Sequence, residues 1–145
     1  MATFVLIPGA GGTAWYWSRV EPLLRAAEHE VIAVDLPGDD PDKGIVQYAE
    51  IVVGAIGARK DVVVVAQSMA GFTAPLVCER VPVIGLVFVN AMIPVPGETA
   101  GAWGDATGSA EARLAAAKRG GYPTEFELDA YFLQGTSSPL IWAPT

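Results

Sequence analysis

The run Val62-Val63-Val64-Val65-Ala66-Gln67-Ser68-Met69-Ala70-Gly71 constrains this chain more than any other stretch. Four β-branched residues in a row read as a strand buried on both faces, the environment of a parallel sheet. Small residues follow at positions 66, 70 and 71, with a lone hydroxyl at 68 between them, and then a helix-compatible run from Phe72 to Arg80. Strand, sharp turn and helix around a serine form the layout of a nucleophile elbow, usually written G-x-S-x-G. The residues two before and two after the serine must be small because the turn brings them close, and alanine occupies both places. Such a turn lifts the serine Oγ off the end of the sheet and aims the N–H groups of the following helix at the same point. The same residues also fit a buried strand, a serine N-cap and an ordinary helix.

The flanking chain supplies a sheet for that strand. Thr3 to Ile7 is a short apolar strand running into Pro8-Gly9-Ala10-Gly11-Gly12, where glycines permit a sharp turn and close approach to a ligand. Trp15, Tyr16 and Trp17 follow, then Ser18-Arg19-Val20-Glu21, which reads as a capping box for a helix through Ala27, with Pro22 blurring its start. Glu30 to Val34 is a second strand, closed by Asp35-Leu36-Pro37-Gly38. Ile45, Tyr48, Ala49, Val52, Val53 and Ile56 share one face at helical spacing. Val83 to Val89 is a fourth strand, ending at Asn90. Strand and helix alternate with short connections, the pattern of an α/β fold with an open, mostly parallel sheet and helices on both faces.

After Asn90 the pattern changes. Residues 91–108 are rich in proline and glycine and read as a loop holding Trp103. Ala110 to Arg119 is an alanine-rich helix, Glu125 to Phe132 a short second one, and Gln134 to Thr145 has no helical or strand period.

Composition excludes several functions. A net charge of −7 opposes binding to nucleic-acid backbones or anionic membranes. The lone Cys78 forms no internal disulfide and reads as a small core residue, and no Cys or His cluster suggests a metal. No cofactor motif other than a glycine fingerprint is present. No leader or membrane-length segment is visible, so the expected location is cytoplasmic. Apolar content of 52% and a mean hydropathy of +0.38 suit an open sheet, or part of a larger domain.

Four blocks together resemble the N-terminal portion of an α/β-hydrolase. They are Phe4 to Ala10 with the Trp15–Trp17 cluster, Asp35 to Gly38, the elbow, and Val87-Phe88-Val89-Asn90-Ala91-Met92-Ile93-Pro94. The chain is most similar to the small esterase branch that includes plant methylesterases and hydroxynitrile lyases. The resemblance implies residues 1–97 as hydrolase core, 98–133 as a cap-like helical region and 134–145 as an out-of-family tail, the fold being C-terminally truncated. It implies hydrolysis of a small ester through Ser68, with Ala10 and Met69 N–H groups as the oxyanion hole and Gly9 and Trp103 beside the substrate. Two departures from the family pattern are mild: Pro8 stands where many relatives carry histidine, and Ala66 and Ala70 replace glycines.

The third departure concerns the base. The chain has a single histidine, His29, which precedes the second strand, whereas Ser68 follows its own. Those are opposite edges of a parallel sheet, roughly 15 Å or more apart. In the family the acid and histidine follow the serine in sequence, on later strand ends. Asp35 reads as a turn-former, and Glu98, Asp105 and Asp129 as solvated charges. Weak or absent turnover is therefore expected.

Two other readings compete. Gly9-Ala10-Gly11-Gly12-Thr13-Ala14 satisfies G-x-G-x-x-A, with Asp35 as a ribose ligand, as in dinucleotide-binding oxidoreductases. A non-catalytic hydrolase-fold protein that binds a small ligand is the third. The fourth strand, if it ends the sheet, presents an unpaired edge, and self-association through Val83–Val89 is expected.

Overall fold

A computed structural model describes residues 1–10, 12–121 and 123–125. Packing divides the chain into Met1–Ala100 and Gly101–Thr145. The first unit contains four strands: β1 (Thr3–Ile7), β2 (Glu30–Ala33), β3 (Val62–Gln67) and β4 (Gly85–Val89). Its helices are α1 (Glu21–Ala26), α2 (Ile45–Ile56) and α3 (Ala70–Cys78). All pairings are parallel, in the order β2-β1-β3-β4.

Strand periodicity divides the side chains between two faces. Val5 and Ile7 of β1 and Val62, Val64 and Ala66 of β3 point toward α2 and α3 and pack with Ala49, Val52, Ile56, Ala74 and Val77. Leu6 and Val65 point the other way, with Val31 and Trp17, and Leu24 of α1 covers them. This two-sided burial is why the valine run needs no polar alternation. Each fully buried aliphatic side chain stabilises the fold by about 1.5–3 kcal/mol relative to exposure. α2 starts and ends as its apolar period requires, and its first turn is tied by the Gly44 N–H donating to Gln47 Oε1 at 3.0 Å.

Local differences from the sequence reading have local causes. The Ser18–Glu21 capping box does not form. Residues Ala14–Trp17 instead make a 3-10 turn, and α1 starts at Glu21 with Pro22 in its first turn and no side-chain cap. Proline in a first turn sacrifices no hydrogen bond, so it sets the start. In the second unit, α4 (Ala100–Thr107) takes up Trp103, which the glycine content had suggested was in a loop. The Thr107 hydroxyl donates to the Trp103 carbonyl at 2.7 Å, closing the last turn of this helix. α5 (Ser109–Gly120) follows after Gly108 in the left-handed region. Only the start of the short helix expected from Glu125 to Phe132 lies within the described residues, and the stretch 134–145 lies outside them. No described helix is long and apolar enough to cross a membrane.

The N-terminal ends of the strands are joined by charge. Arg59, just past α2, donates to Glu30 Oε1 at 2.6 Å, and the Thr3 hydroxyl donates to Glu30 Oε2 at 3.1 Å. The Arg59 hydrogen bond, helped by Thr3, holds the Glu30 carboxyl below its ordinary range against a partial opposing effect of desolvation. A carboxyl depressed on folding stabilises above its unfolded pKa, and that stability is lost as pH falls through the folded value. An Arg59→Met variant should therefore melt below wild type at pH 7. The gap should close as pH falls below the usual carboxylate range, about pH 4, in melts followed by circular dichroism.

Among the described residues β4 is the last strand of the sheet, and no described strand pairs with its outer side. Val87, Phe88 and Val89 are 43%, 38% and 40% exposed, so the edge is apolar as well as open. Such an edge templates pairing with another chain. In sedimentation at low micromolar concentration, wild type should run heavier than a Val87→Lys variant. Identical sharp monomer boundaries for both would rule the association out.

Candidate active site

In this strand order β1 sits between β2 and β3, so the chain leaves β1 and β3 in opposite directions across the sheet. Ligand sites in open α/β sheets form where neighbouring strands diverge like this, beyond their C-terminal ends. The register places Ile7 beside Ala66, and the next residues out of each strand face one another. They are Pro8-Gly9-Ala10 on one side and Gln67-Ser68-Met69 on the other.

Ser68 has φ +52°, the left-handed region that side chains other than glycine rarely adopt. The turn from β3 into α3 requires it, at a cost of about 1–2 kcal/mol. Surrounding bonds hold it there. The Ser68 N–H donates to the Val89 carbonyl at 3.2 Å, and its carbonyl accepts from Gly71 N at 3.1 Å and Met92 N at 2.9 Å. Tightness falls at different positions from those the motif suggests. Ala66 and Ala70 fit as buried side chains, whereas a Cβ on Gly71 would overlap the Met92 carbonyl oxygen. Glycine at 71 lets the chain leaving β4 cross the start of α3.

The facing loop is equally close. A Cβ on Gly9 would come 2.8 Å from Ser68 Cβ and 2.5 Å from Gln67 Oε1. The Gly9 N–H donates to Gln67 Oε1 at 2.8 Å, a bond spanning 58 positions. Gly12 N donates to the Gly9 carbonyl at 3.2 Å, Leu36 N donates to the Gly12 carbonyl at 2.6 Å, and Ala14 N donates to Asp35 Oδ1 at 2.7 Å. Asp35 thus caps the 3-10 turn, a specific job that its reading as a turn-former did not identify. A four-residue 3-10 turn, with Asp35 holding its first N–H, replaces the long helix start that a dinucleotide fingerprint needs. Among the described residues, neither Ala10 N–H nor Met69 N–H donates a hydrogen bond, and nothing hydrogen-bonds the Ser68 hydroxyl. An apolar recess of about one water's size lies behind Gly9 and Met69, lined also by Leu36, Tyr48 and Thr73.

Ser68, Met69, Gly9 and Ala10 are therefore adjacent, while Trp103 lies on α4 in the second unit. His29 is at the other end of the strands. Its Nδ1 accepts from Ala2 N at 3.2 Å, and its ring packs on Phe4 with centroids 4.9 Å apart. Thr3 pairs with both Glu30 and Val62, so His29 and Ser68 are separated by the length of β3, roughly 20 Å at 3.3 Å per residue. Among the described residues, no group of His, Cys, Asp and Glu could hold a metal. Gln67 was not singled out in the sequence. Its only signal there is being the one polar residue between the valine run and the serine.

Residues 4–145 match the model of the alpha/beta hydrolase family. The chain belongs to that family. Among curated relatives, methyl jasmonate esterase 1 of Vitis vinifera is 34% identical over 105 residues, 64% of this chain and 40% of that protein. Methylesterase 7 of Arabidopsis thaliana is 35% identical over 104 residues, 63% of this chain and 40% of that protein. The crystal structure of polyneuridine aldehyde esterase superposes with a TM-score of 0.63 at 30% identity, covering 75% of this chain and 48% of that one. The fold is thus that of an α/β-hydrolase, and the chain spans about 40% of the length of these curated relatives. Their match to the N-terminal portion agrees with the resemblance carried by the four sequence blocks.

Backbone strain at Ser68 and crowding at Gly71 have opposite consequences for stability. Ser68→Gly should raise it by about 0.5–1 kcal/mol, the relief of the left-handed backbone exceeding the unfolded-state entropy of glycine, and Ser68→Ala should not. Gly71→Ala should lower it by about 1–3 kcal/mol through the clash with Met92. Urea denaturation of the three variants measures both signs.

Proposed function

We propose that this chain carries the nucleophile and oxyanion hole of a serine hydrolase acting on small carboxylic esters. Ser68 Oγ would attack the acyl carbon, forming an Oγ–C bond as the carbonyl oxygen becomes an oxyanion. Collapse of that intermediate would break the C–O bond to the leaving group, which would depart as the alcohol with the serine proton passed through solvent, and water would then cleave the acyl-serine to the acid and free Ser68. Ala10 N–H and Met69 N–H would hold the oxyanion; two such donors are worth roughly 3 kcal/mol each in related chemistry. Gly9 would border the substrate. The observation that carries the reading is Ser68 itself, held at positive φ at a strand–helix turn with the Gly9–Ala10 backbone packed against it. Esterases among the relatives support the substrate class.

The serine proton needs a base, and none of the described residues hydrogen-bonds the Ser68 hydroxyl. The one histidine is His29, bound at the opposite strand ends. That placement favours a second reading, a hydrolase-fold protein that binds an ester or acid without turning it over. With p-nitrophenyl acetate the chain should give turnover above water by at most about 10³–10⁴-fold, the share that an oxyanion hole and binding supply without a triad. His29→Gln should leave that residual activity within about tenfold of wild type, whereas Ser68→Ala should lower it, because no acyl-serine can form. Ordinary enzyme rates lost in Ser68→Ala would reveal a base and overturn the weak-activity expectation. No turnover at all, with saturable ester binding, would favour the second reading.

A further inference from the structure

We propose that Gln67 is a positioning residue for the oxyanion hole, its side-chain carbonyl fastening the Gly9–Ala10 loop to the nucleophile turn; this rests on the ester-hydrolase reading above. The peptide bond is planar. A trans peptide points its C=O and its N–H in opposite directions, so pinning one end aims the other. The Ser68–Met69 peptide has its carbonyl pinned by Gly71 N and Met92 N, and its free end is the Met69 N–H. The Gly9–Ala10 peptide has its carbonyl held by Gly12 N, and its free end is the Ala10 N–H. Each donor assigned to the oxyanion is thus the unoccupied end of a peptide anchored at its other end.

Each anchor acts within its own side of the cleft. Gly71 and Met92 belong to the elbow side and Gly12 to the loop after β1. Two donors aimed from separate loops serve one oxygen only if the loops keep their spacing, and small misplacements weaken such stabilisation steeply. The 2.8 Å bond from Gly9 N to Gln67 Oε1 ties the loops directly, joining the first residue of one donor-bearing peptide to the residue just before the other. It also takes up the Gly9 N–H, which leaves Ala10 as the unbonded donor among the described residues of the loop. Glycine at 9 is required by the same contact, since a Cβ would meet the carboxamide oxygen and Ser68 Cβ together.

The residue at 67 must accept a hydrogen bond and must also be neutral, because an anion there would oppose the charge developing on the substrate oxygen. Two substitutions separate these demands. Gln67→Met keeps length and removes the acceptor. Gln67→Glu keeps the acceptor and adds charge.

The first measurement is amide hydrogen exchange by NMR on the ¹⁵N-labelled chain, which needs no catalysis. In wild type the Gly9 amide should exchange at least about tenfold more slowly than the Ala10 amide, as expected for a bonded against an unbonded N–H. In Gln67→Met the Gly9 amide should lose that protection, and in Gln67→Glu it should retain it. The second measurement is p-nitrophenyl acetate turnover against pH. Gln67→Met should lower kcat about tenfold or more with KM within twofold at all pH values. Gln67→Glu should lower kcat near pH 7 and recover it as the introduced carboxylate is protonated, a signature that a merely structural role would not produce. Equal exchange of Gly9 and Ala10 in wild type, or unchanged kcat in Gln67→Met once Gly9 is unprotected, would overturn the proposal. Absence of wild-type turnover with the exchange pattern intact would sink the hydrolase reading while leaving the Gln67 tie established.

Discussion

The parallel pairing of β1 with β3, in the register that sets Ile7 beside Ala66, is the constraint on which the site depends. It brings together two turns that lie about sixty positions apart and gives them a common floor of fully buried side chains. A slip of two residues, which would preserve the inward and outward faces, would move the Gly9 loop by about 6–7 Å along the strand. The Gly9 contact with Ser68 and the Gln67 hydrogen bond would then both be lost. Val5 lies beside Val64 and Ile7 beside Ala66 on the α2–α3 face, and Leu6 lies beside Val65 on the other. Packing on two faces holds the register, and the register holds the site.

The strain at the site is small against this packing. A left-handed serine costs about 1–2 kcal/mol, less than the burial of one or two of the valines that precede it. The turn persists because its carbonyl accepts two N–H groups and because Gly71 lets the chain after β4 pass over it. The same conformation leaves the Ser68 hydroxyl and the Met69 N–H free of partners among the described residues. Charge does its work elsewhere, where the Glu30–Arg59–Thr3 group ties the opposite strand ends. His29 belongs to that end too. The sheet therefore separates the His29 edge from the Ser68 edge by the length of its strands.

Features carried by short-range pattern were legible from residues alone. The valine run, the period of α2 and the alternation of strands with helices predicted the sheet, and the spacing around Ser68 predicted the turn. The side of the sheet on which His29 would lie also followed, because in a parallel sheet every strand start shares one edge. Features that depend on which of several local options is stabilised by a distant group were not legible. Ser18 and Glu21 match a capping box, yet the 3-10 turn is favoured because Asp35, far along the chain, takes up the Ala14 N–H. Gly101 and Gly104 argue for a loop, yet α4 forms around them. Ala70 meets the motif's demand for a small residue, but the tightest approach falls on Gly71, set by Met92 arriving from β4.

By itself the sequence determined the elements, the parallel sheet and the serine at the strand–helix turn, because hydrophobic periodicity and the steric demands of a sharp turn are properties of neighbouring residues. The tertiary structure alone decided the register, and with it the closeness of Gly9 to Ser68, the cap that Asp35 provides and the tie from Gln67 to Gly9. Each of those is a hydrogen bond or contact between residues at least twenty positions apart. A carboxamide or carboxylate in a sequence carries no mark of its partner. The partner is chosen when the strands are packed side by side and the polar groups left at their ends find the nearest unpaired N–H.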